Sequence, residues 1–316
     1  MTFDELAQQF YGLYGQGAFA DAFDLATREL PHHAEMAREI HYWRACLAAK
    51  LGKTALVCAI MAEVLESGSW FSPMQLQEDA DLESVRQNPE FQRLLAACRE
   101  RNAAAQQEAA PLRLISEPKG GGRIPLIMAL HGNSGNAQAE VEYWLPAVES
   151  GAMVAMLQSS QVEGPDGFVW NDQEMAATEA QQHYRELAAT GRVDRRQVVL
   201  GGFSRGAGTA IWLAASGRVW SRGFVAVAPR WHDVAGLRQL LARKAGLRGY
   251  IVIGEEDESS IQVAKDVQAL MAEFDEQCEV ELVPHLCHAY PPSFVDSLRK
   301  ALRLILGAGS ETGSTR

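Results

Sequence analysis

Three kinds of side chain able to share one catalytic task recur along this 316-residue chain. Gly202-Phe203-Ser204-Arg205-Gly206 sets a serine between two glycines, after Val198-Val199-Leu200 and before Ala207-Gly208-Thr209-Ala210. An apolar, β-branched run that turns abruptly into a helix crowds its own backbone, and glycines on both flanks relieve the crowding. The serine at the tip is then pushed out with its hydroxyl available, the geometry of a nucleophile elbow. Further on, Glu255-Glu256-Asp257-Glu258 offers four successive carboxylates, and Pro284-His285-Leu286-Cys287-His288-Ala289-Tyr290 offers two histidines. One of the acids could orient a histidine, although such a run also suits a helix N-terminus, where the dipole favours negative charge. The order is serine, acid, histidine, unlike that of the chymotrypsin or subtilisin chains.

A fourth stretch, His131-Gly132-Asn133-Ser134-Gly135, is a glycine turn that follows an apolar run. Its backbone could aim N–H groups at a developing oxyanion, joined by the N–H of the residue after the nucleophile; the candidates are the amides of Asn133 and Arg205. Phosphate binding is the competing use of such a turn, but no lysine follows at P-loop spacing. His131 is expected to hold the loop by a hydrogen bond, and His232 to sit at a pocket rim. Residues 159–171 and the aromatic residues Trp144, Trp170, Trp231 and Tyr290 are candidates for the pocket wall. No histidines and acids fall at metal-binding spacing, so no metal and no cofactor are expected.

The elements that must carry these residues are legible as a change of period at Leu112. Short apolar runs at 112–116, 125–130, 152–158, 197–201, 224–228, 250–254 and 279–283 alternate with amphipathic stretches at 136–149, 173–190, 205–216, 233–244, 259–274 and 292–306. Unalternating apolar runs are the pattern of strands covered on both faces. With helices between them they predict a doubly wound, mostly parallel α/β sheet. Sites in such sheets gather at the carboxyl ends of strands, and each stretch above follows a strand directly.

Residues 1–110 read as helices only: 3–14, a break at Gly15-Gln16-Gly17, 18–30, 40–51, a break at Gly52-Lys53, and 54–65. A shift of 35 residues lays Gly17 on Gly52 and Ala20 on Ala55, a repeat that resembles the tetratricopeptide type, with a period near ~34. A degenerate third unit, its two helices opened by residues 79–86 and 88–91, would cap the stack. A helical tail from Arg99 runs to Pro111, where a linker open to proteolysis is expected. The reading is therefore a helical-repeat domain at 1–110, a sheet domain at 111–308 and a flexible tail at 309–316.

The net charge of −11 and the lack of a basic cluster argue against a nucleic-acid surface. No apolar run approaches the ~20 residues that cross a bilayer, and the acidic start Met1-Thr2-Phe3-Asp4-Glu5 is unlike a signal peptide. Five cysteines, an odd number with no CxxC pair, suggest reduced thiols and a cytoplasmic setting.

Residues 112–306 resemble the α/β-hydrolase superfamily, in its phospholipase/carboxylesterase and acyl-thioesterase-like branch. The resemblance is carried by Leu130-His131-Gly132-Asn133, Val199-Leu200-Gly201-Gly202-Phe203-Ser204-Arg205-Gly206, Gly254-Glu255-Glu256-Asp257 and His288-Ala289-Tyr290-Pro291. It implies Ser204 as nucleophile, Asp257 as acid and His288 as base, with Glu255, Glu256 and His285 as rivals. The spacing agrees. Gly254-x-x-Asp257 sets a short carboxylate past the strand end, and three residues beyond His285 give the chain room to turn back over the elbow. The expected activity is a serine esterase or thioesterase acting on a small acyl ester or thioester, with the repeats free to recruit a protein partner. A non-catalytic scaffold and a serine peptidase of the same fold are the alternatives.

Overall fold

The apolar runs after Leu112 become seven strands: β1 (Leu112–Ser116), β2 (Ile124–Leu130), β3 (Met153–Gln158), β4 (Val193–Phe203), β5 (Gly223–Val227), β6 (Arg248–Gly254) and β7 (Gln277–Val283). The structure, a computed structural model, describes residues 1–307 apart from His232. The expected rim position of His232 and the expected tail at 309–316 lie outside the described residues. The strands form one sheet in the order β1-β3-β2-β4-β5-β6-β7, parallel throughout except for the antiparallel pairing of β1 with β3. The central strands β2 and β3 are buried along nearly their whole length, which is why they read as continuous apolar runs. The edge strands β1 and β7 are only part-buried.

Helices cover both faces. A core of residues from α9 (Gln173–Ala189), α10 (Ser204–Ser216), α11 (Leu237–Leu241) and α12 (Glu258–Ala272) packs one face. A second core uses α7 (Ala137–Trp144), α8 (Pro146–Glu149) and α13 (Phe294–Leu306) on the other. Two expected helices come out shorter. The stretch 136–149 divides into α7 and α8 at Pro146, which lacks the N–H an interior helix position donates. The stretch 233–244 keeps only the five residues of α11.

The chain divides into two compact units, one of residues 1–109 with 162–165, the other of 110–161 with 166–316. The first unit is helical: α1 (Phe3–Gly15), α2 (Phe19–Glu29), α3 (Ala37–Lys50), α4 (Thr54–Glu66), α5 (Pro73–Glu78) and α6 (Pro89–Glu108). The expected 35-residue shift corresponds to two matching turns. Gly17 at φ 72° and Gly52 at φ 70° end α1 and α3 in the left-handed conformation. Each is followed by the same long hydrogen bond, Ala18 N–H to Leu13 O (3.0 Å) and Lys53 N–H to Ala48 O (2.8 Å), the pattern of a Schellman cap. The third unit departs from expectation, because Ala80–Val85 is a 3-10 helix rather than an α-helix. Asn88 caps α6, which then runs unbroken for 20 residues through the expected tail. Residues 162–165 are fastened within this unit: the Val162 N–H donates to Gln106 Oε1 (2.9 Å), and Asn102 Nδ2 donates to Val162 O (3.1 Å).

Candidate active site

β4 runs between β2 and β5, and its last residue leads straight into α10. Ser204 makes that corner at φ 52°, a left-handed conformation that costs a non-glycine residue and persists only where its surroundings enforce it. They do so through the flanking glycines. A Cβ on Gly202 would lie 2.7 Å from Leu130 O, and one on Gly206 would lie 2.2 Å from His131 O. The glycines of the motif are thus required by two backbones in contact, that of the elbow and that of β2 with its loop.

Asp257 caps α12, accepting from the Ser260 N–H at 3.3 Å. The chain leaving β7 crosses directly over the end of β6, so closely that a Cβ on Gly254 would fall 2.0 Å from Leu286 O. That crossing delivers His288 between Asp257 and Ser204. His288 Nδ1 lies 2.6 Å from Asp257 Oδ2, and Nε2 lies 2.8 Å from Ser204 Oγ. A carboxylate can only accept, so Nδ1 carries the proton and donates it; Nε2 is left to accept from the Ser204 hydroxyl. His285 goes elsewhere. Its side chain is 91% exposed, 4.0 Å from Glu256. Glu255 faces the His285 N–H (3.4 Å), and Glu256 accepts from the Cys287 thiol (3.2 Å). Of the rivals named from the sequence, the structure brings neither the histidine nor the two glutamates to Ser204.

Two charged residues join this set that the sequence motifs do not announce. Arg230, in the loop after β5, donates from Nη2 to Asp257 Oδ1 (2.9 Å), and its backbone N–H donates to Ser204 O (3.0 Å). The same Nη2 is 3.4 Å from His288 Nδ1; both atoms carry protons, so it acts there as a charge and not as a bond. Burial holds the His288 imidazole below its ordinary value, Asp257 opposes this, and Arg230 adds to it. Burial works against Asp257 too, but hydrogen bonds from Ser260 and His288 with the charges of His288 and Arg230 prevail and keep its carboxyl low.

The second is Glu140 of α7. It accepts from the Gly132 N–H (2.7 Å) through one oxygen and from the Tyr290 hydroxyl (2.9 Å) through the other. Burial pushes its carboxyl up to about 7, against the pull of those two donors. His131 is fully buried, donates from Nδ1 to Gly132 O (2.7 Å) and accepts from the Ser159 N–H (3.3 Å), so it holds the loop as expected. Burial lowers it to about 4, which keeps it neutral.

The aromatic candidates fare unevenly. Trp144 and Trp170 have no exposed surface and cannot line a pocket. Trp144 belongs to the core under the sheet and donates to the Tyr290 hydroxyl (3.1 Å), while Trp170 donates to His131 O (3.0 Å). Both were large rings next to loops, and both packed down. Trp231 is nearly buried, with the Arg205 guanidinium 5.1 Å above its ring. Tyr290 stacks on Phe203, whose ring centre lies 5.0 Å from that of His288. Asn133 is exposed in the turn after β2, and Arg205 stands in the first turn of α10, where N–H groups have no partner within the helix.

Residues 2–106 match the family described as A/B hydrolase-like, N-terminal domain. An uncharacterized protein from Bacillus cereus ATCC 10987 is 26% identical, with a TM-score of 0.55 and coverage of 96% of this chain and 99% of its own. Esterase PE8 is 15% identical, with a TM-score of 0.54 over 62% of this chain and 99% of that one. A dienelactone hydrolase-like promiscuous phosphotriesterase from metagenomic libraries is 14% identical, with a TM-score of 0.53 over 64% of this chain and 94% of that one. The sheet unit has the α/β-hydrolase fold. No curated protein matches the chain. In α/β-hydrolase terms, the serine sits at the strand-to-helix elbow after β4, and its partners follow β6 and β7. Arg230 follows a strand end in the same way, and that position was the one signal that could have found it.

Proposed function

We propose that the protein is a serine hydrolase that cleaves a carboxylic ester or thioester through an acyl-enzyme on Ser204. The observation that carries this reading is the continuous relay Ser204 Oγ, His288 and Asp257, with contacts of 2.8 and 2.6 Å. His288 Nε2 takes the hydroxyl proton as Oγ attacks the acyl carbon, and Asp257 keeps the imidazole in the right tautomer and stabilises the imidazolium. A neutral hydroxyl is otherwise a weak nucleophile. The backbone N–H groups of Asn133 and Arg205 would receive the oxyanion. His288 then returns the proton to the departing alkoxide or thiolate. A water, deprotonated by the same nitrogen, attacks the acyl-enzyme, and the products are a carboxylate and free Ser204. No residue of this scheme calls for a metal or a cofactor.

The helical unit is proposed to act as a tetratricopeptide-like module that recruits a protein partner, on the strength of its two matching glycine-capped hairpins. A cytoplasmic setting is proposed from the five free thiols. Among the described residues, no helix is long and apolar enough to cross a membrane.

A fluorophosphonate probe tests the nucleophile. The purified chain should be labelled once, at Ser204, and Ser204→Ala should not be labelled at all. Full-length protein that binds no probe and turns over neither p-nitrophenyl esters nor acyl thioesters would favour the scaffold alternative.

A further inference from the structure

The sheet has a cleft at the end opposite the elbow. It has a volume of about 610 Å³ and lies near the amino ends of β4, β5 and β6. Five cations line it: Arg196, Arg222, Arg243, Lys244 and Arg248. In a chain of net charge −11, gathering five positive groups in one hollow works against a uniform, self-screening surface. Among the described residues only Arg196 has a carboxylate within ion-pair distance, Asp194 at 3.4 Å. Arg248 is held from Nη1 by a neutral carbonyl, Leu304 O, at 2.7 Å.

Two of these residues sit on fixed backbone. The Arg222 N–H donates to Val198 O (2.8 Å) and Arg222 O accepts from the Arg248 N–H (3.1 Å), which fixes both backbones at the sheet end. Ser221 also lines the hollow; it is buried, and its Oγ has no hydrogen-bond partner among the described residues. A buried hydroxyl left unpaired is costly, and a ligand oxygen would relieve it. Lys244 is partly withdrawn from water, which lowers its ammonium despite the nearby Glu276. At the mouth, Trp220 leaves 45% of its surface exposed.

We propose that this cleft binds a phosphorylated small molecule of the nucleotide class, its phosphates held by Arg222, Arg243 and Arg248 and its ring laid on Trp220. Guanidinium forks match phosphate oxygens in pairs, and an indole face takes a planar ring. The volume of the hollow falls within the ~300–1,000 Å³ of small-molecule sites. The inference does not depend on the chemistry at Ser204.

Calorimetric titration of the full-length chain with ADP, inorganic pyrophosphate and adenosine tests it. ADP and pyrophosphate should bind saturably and more weakly as salt rises, and adenosine should not bind detectably. Arg222→Ala and Arg243→Ala, checked for native circular dichroism, should each weaken both ligands about tenfold. Trp220→Ala should weaken ADP and leave pyrophosphate unchanged. Ser204→Ala should bind ADP like the parent chain. The proposal is overturned by failure of both ADP and pyrophosphate to bind below millimolar concentration, or by binding that both arginine variants retain. Equal effects of Trp220→Ala on ADP and pyrophosphate would remove the nucleotide assignment. So would binding to phosphatidylserine vesicles without binding to either phosphate compound.

Discussion

Arg230 shows how a side chain can govern a relay it does not belong to. The base works only when neutral, so kcat/KM should rise with pH as His288 loses its proton. Burial and the Arg230 charge both hold that imidazole below its ordinary value, so the rise should be complete at unusually low pH. In Arg230→Gln only burial remains, and the acidic limb should move to higher pH; an unmoved limb would show that the guanidinium serves structure alone. Triad members fail together, so Ser204→Ala and His288→Ala should each cost about 10⁴ to 10⁶ in kcat, and Asp257→Asn somewhat less. His285→Ala, whose ring points into solvent, should stay within about tenfold of the parent. Ester turnover of the six proteins decides these points. Ser204, Asp257 and His288 were legible because each follows an apolar run at a spacing set by local turn geometry. Arg230 and Glu140 were not, because nothing local marks them. Arg230 meets an acid 27 residues on, and Glu140 meets a tyrosine 150 residues on.

Among the elements, the elbow tolerates the least change. Gly206→Ala puts a methyl group 2.2 Å from the backbone oxygen of His131, just past β2, which the Trp170 indole N–H also holds (3.0 Å). Overpacking of this kind costs about 1–3 kcal/mol or more, so the variant should melt lower and lose probe labelling. A parent-like melting temperature would mean that the elbow can shift. Helix α7 carries a different sensitivity. Because the fold raises the Glu140 carboxyl to about 7, the folded state holds a proton there that the unfolded chain releases near pH 4.5. Glu140 should therefore subtract stability as pH climbs from about 4.5 to about 7, with no further change above. Urea midpoints at pH 5 and pH 8 should drop more in the parent than in Glu140→Gln; equal drops would count against a protonated Glu140. The strands were readable because a run buried on both faces is apolar without interruption. Helices at 79–86 and 233–244 were misjudged because their polar and apolar residues fit a helix as well as a looser turn, and only packing chose between them.

At the scale of the whole molecule, the notable fact is the division of the chain. The first unit takes residues 1–109 and also 162–165, so the polypeptide passes between the units three times rather than once. The tryptic sites beside the linker at Pro111 lie in regular structure: Arg99 and Arg101 in α6, and Arg113 paired in β1. Trypsin should cut first after Lys119 or Arg123, both exposed between β1 and β2. First cuts at Arg99 or Arg101 would show that the end of α6 opens readily. A chain truncated to 111–316 would leave Val162 without its partners Asn102 and Gln106, at about 1 kcal/mol for each bond lost. Its melting temperature should fall below that of the full chain. Seen as ancestry rather than mechanics, this triple passage makes the helical unit a poor candidate for shuffling. A recombination event that brought in or removed its 109 residues as a block would leave four of its residues behind in the other gene segment. The two halves are therefore expected to have been inherited and diversified together.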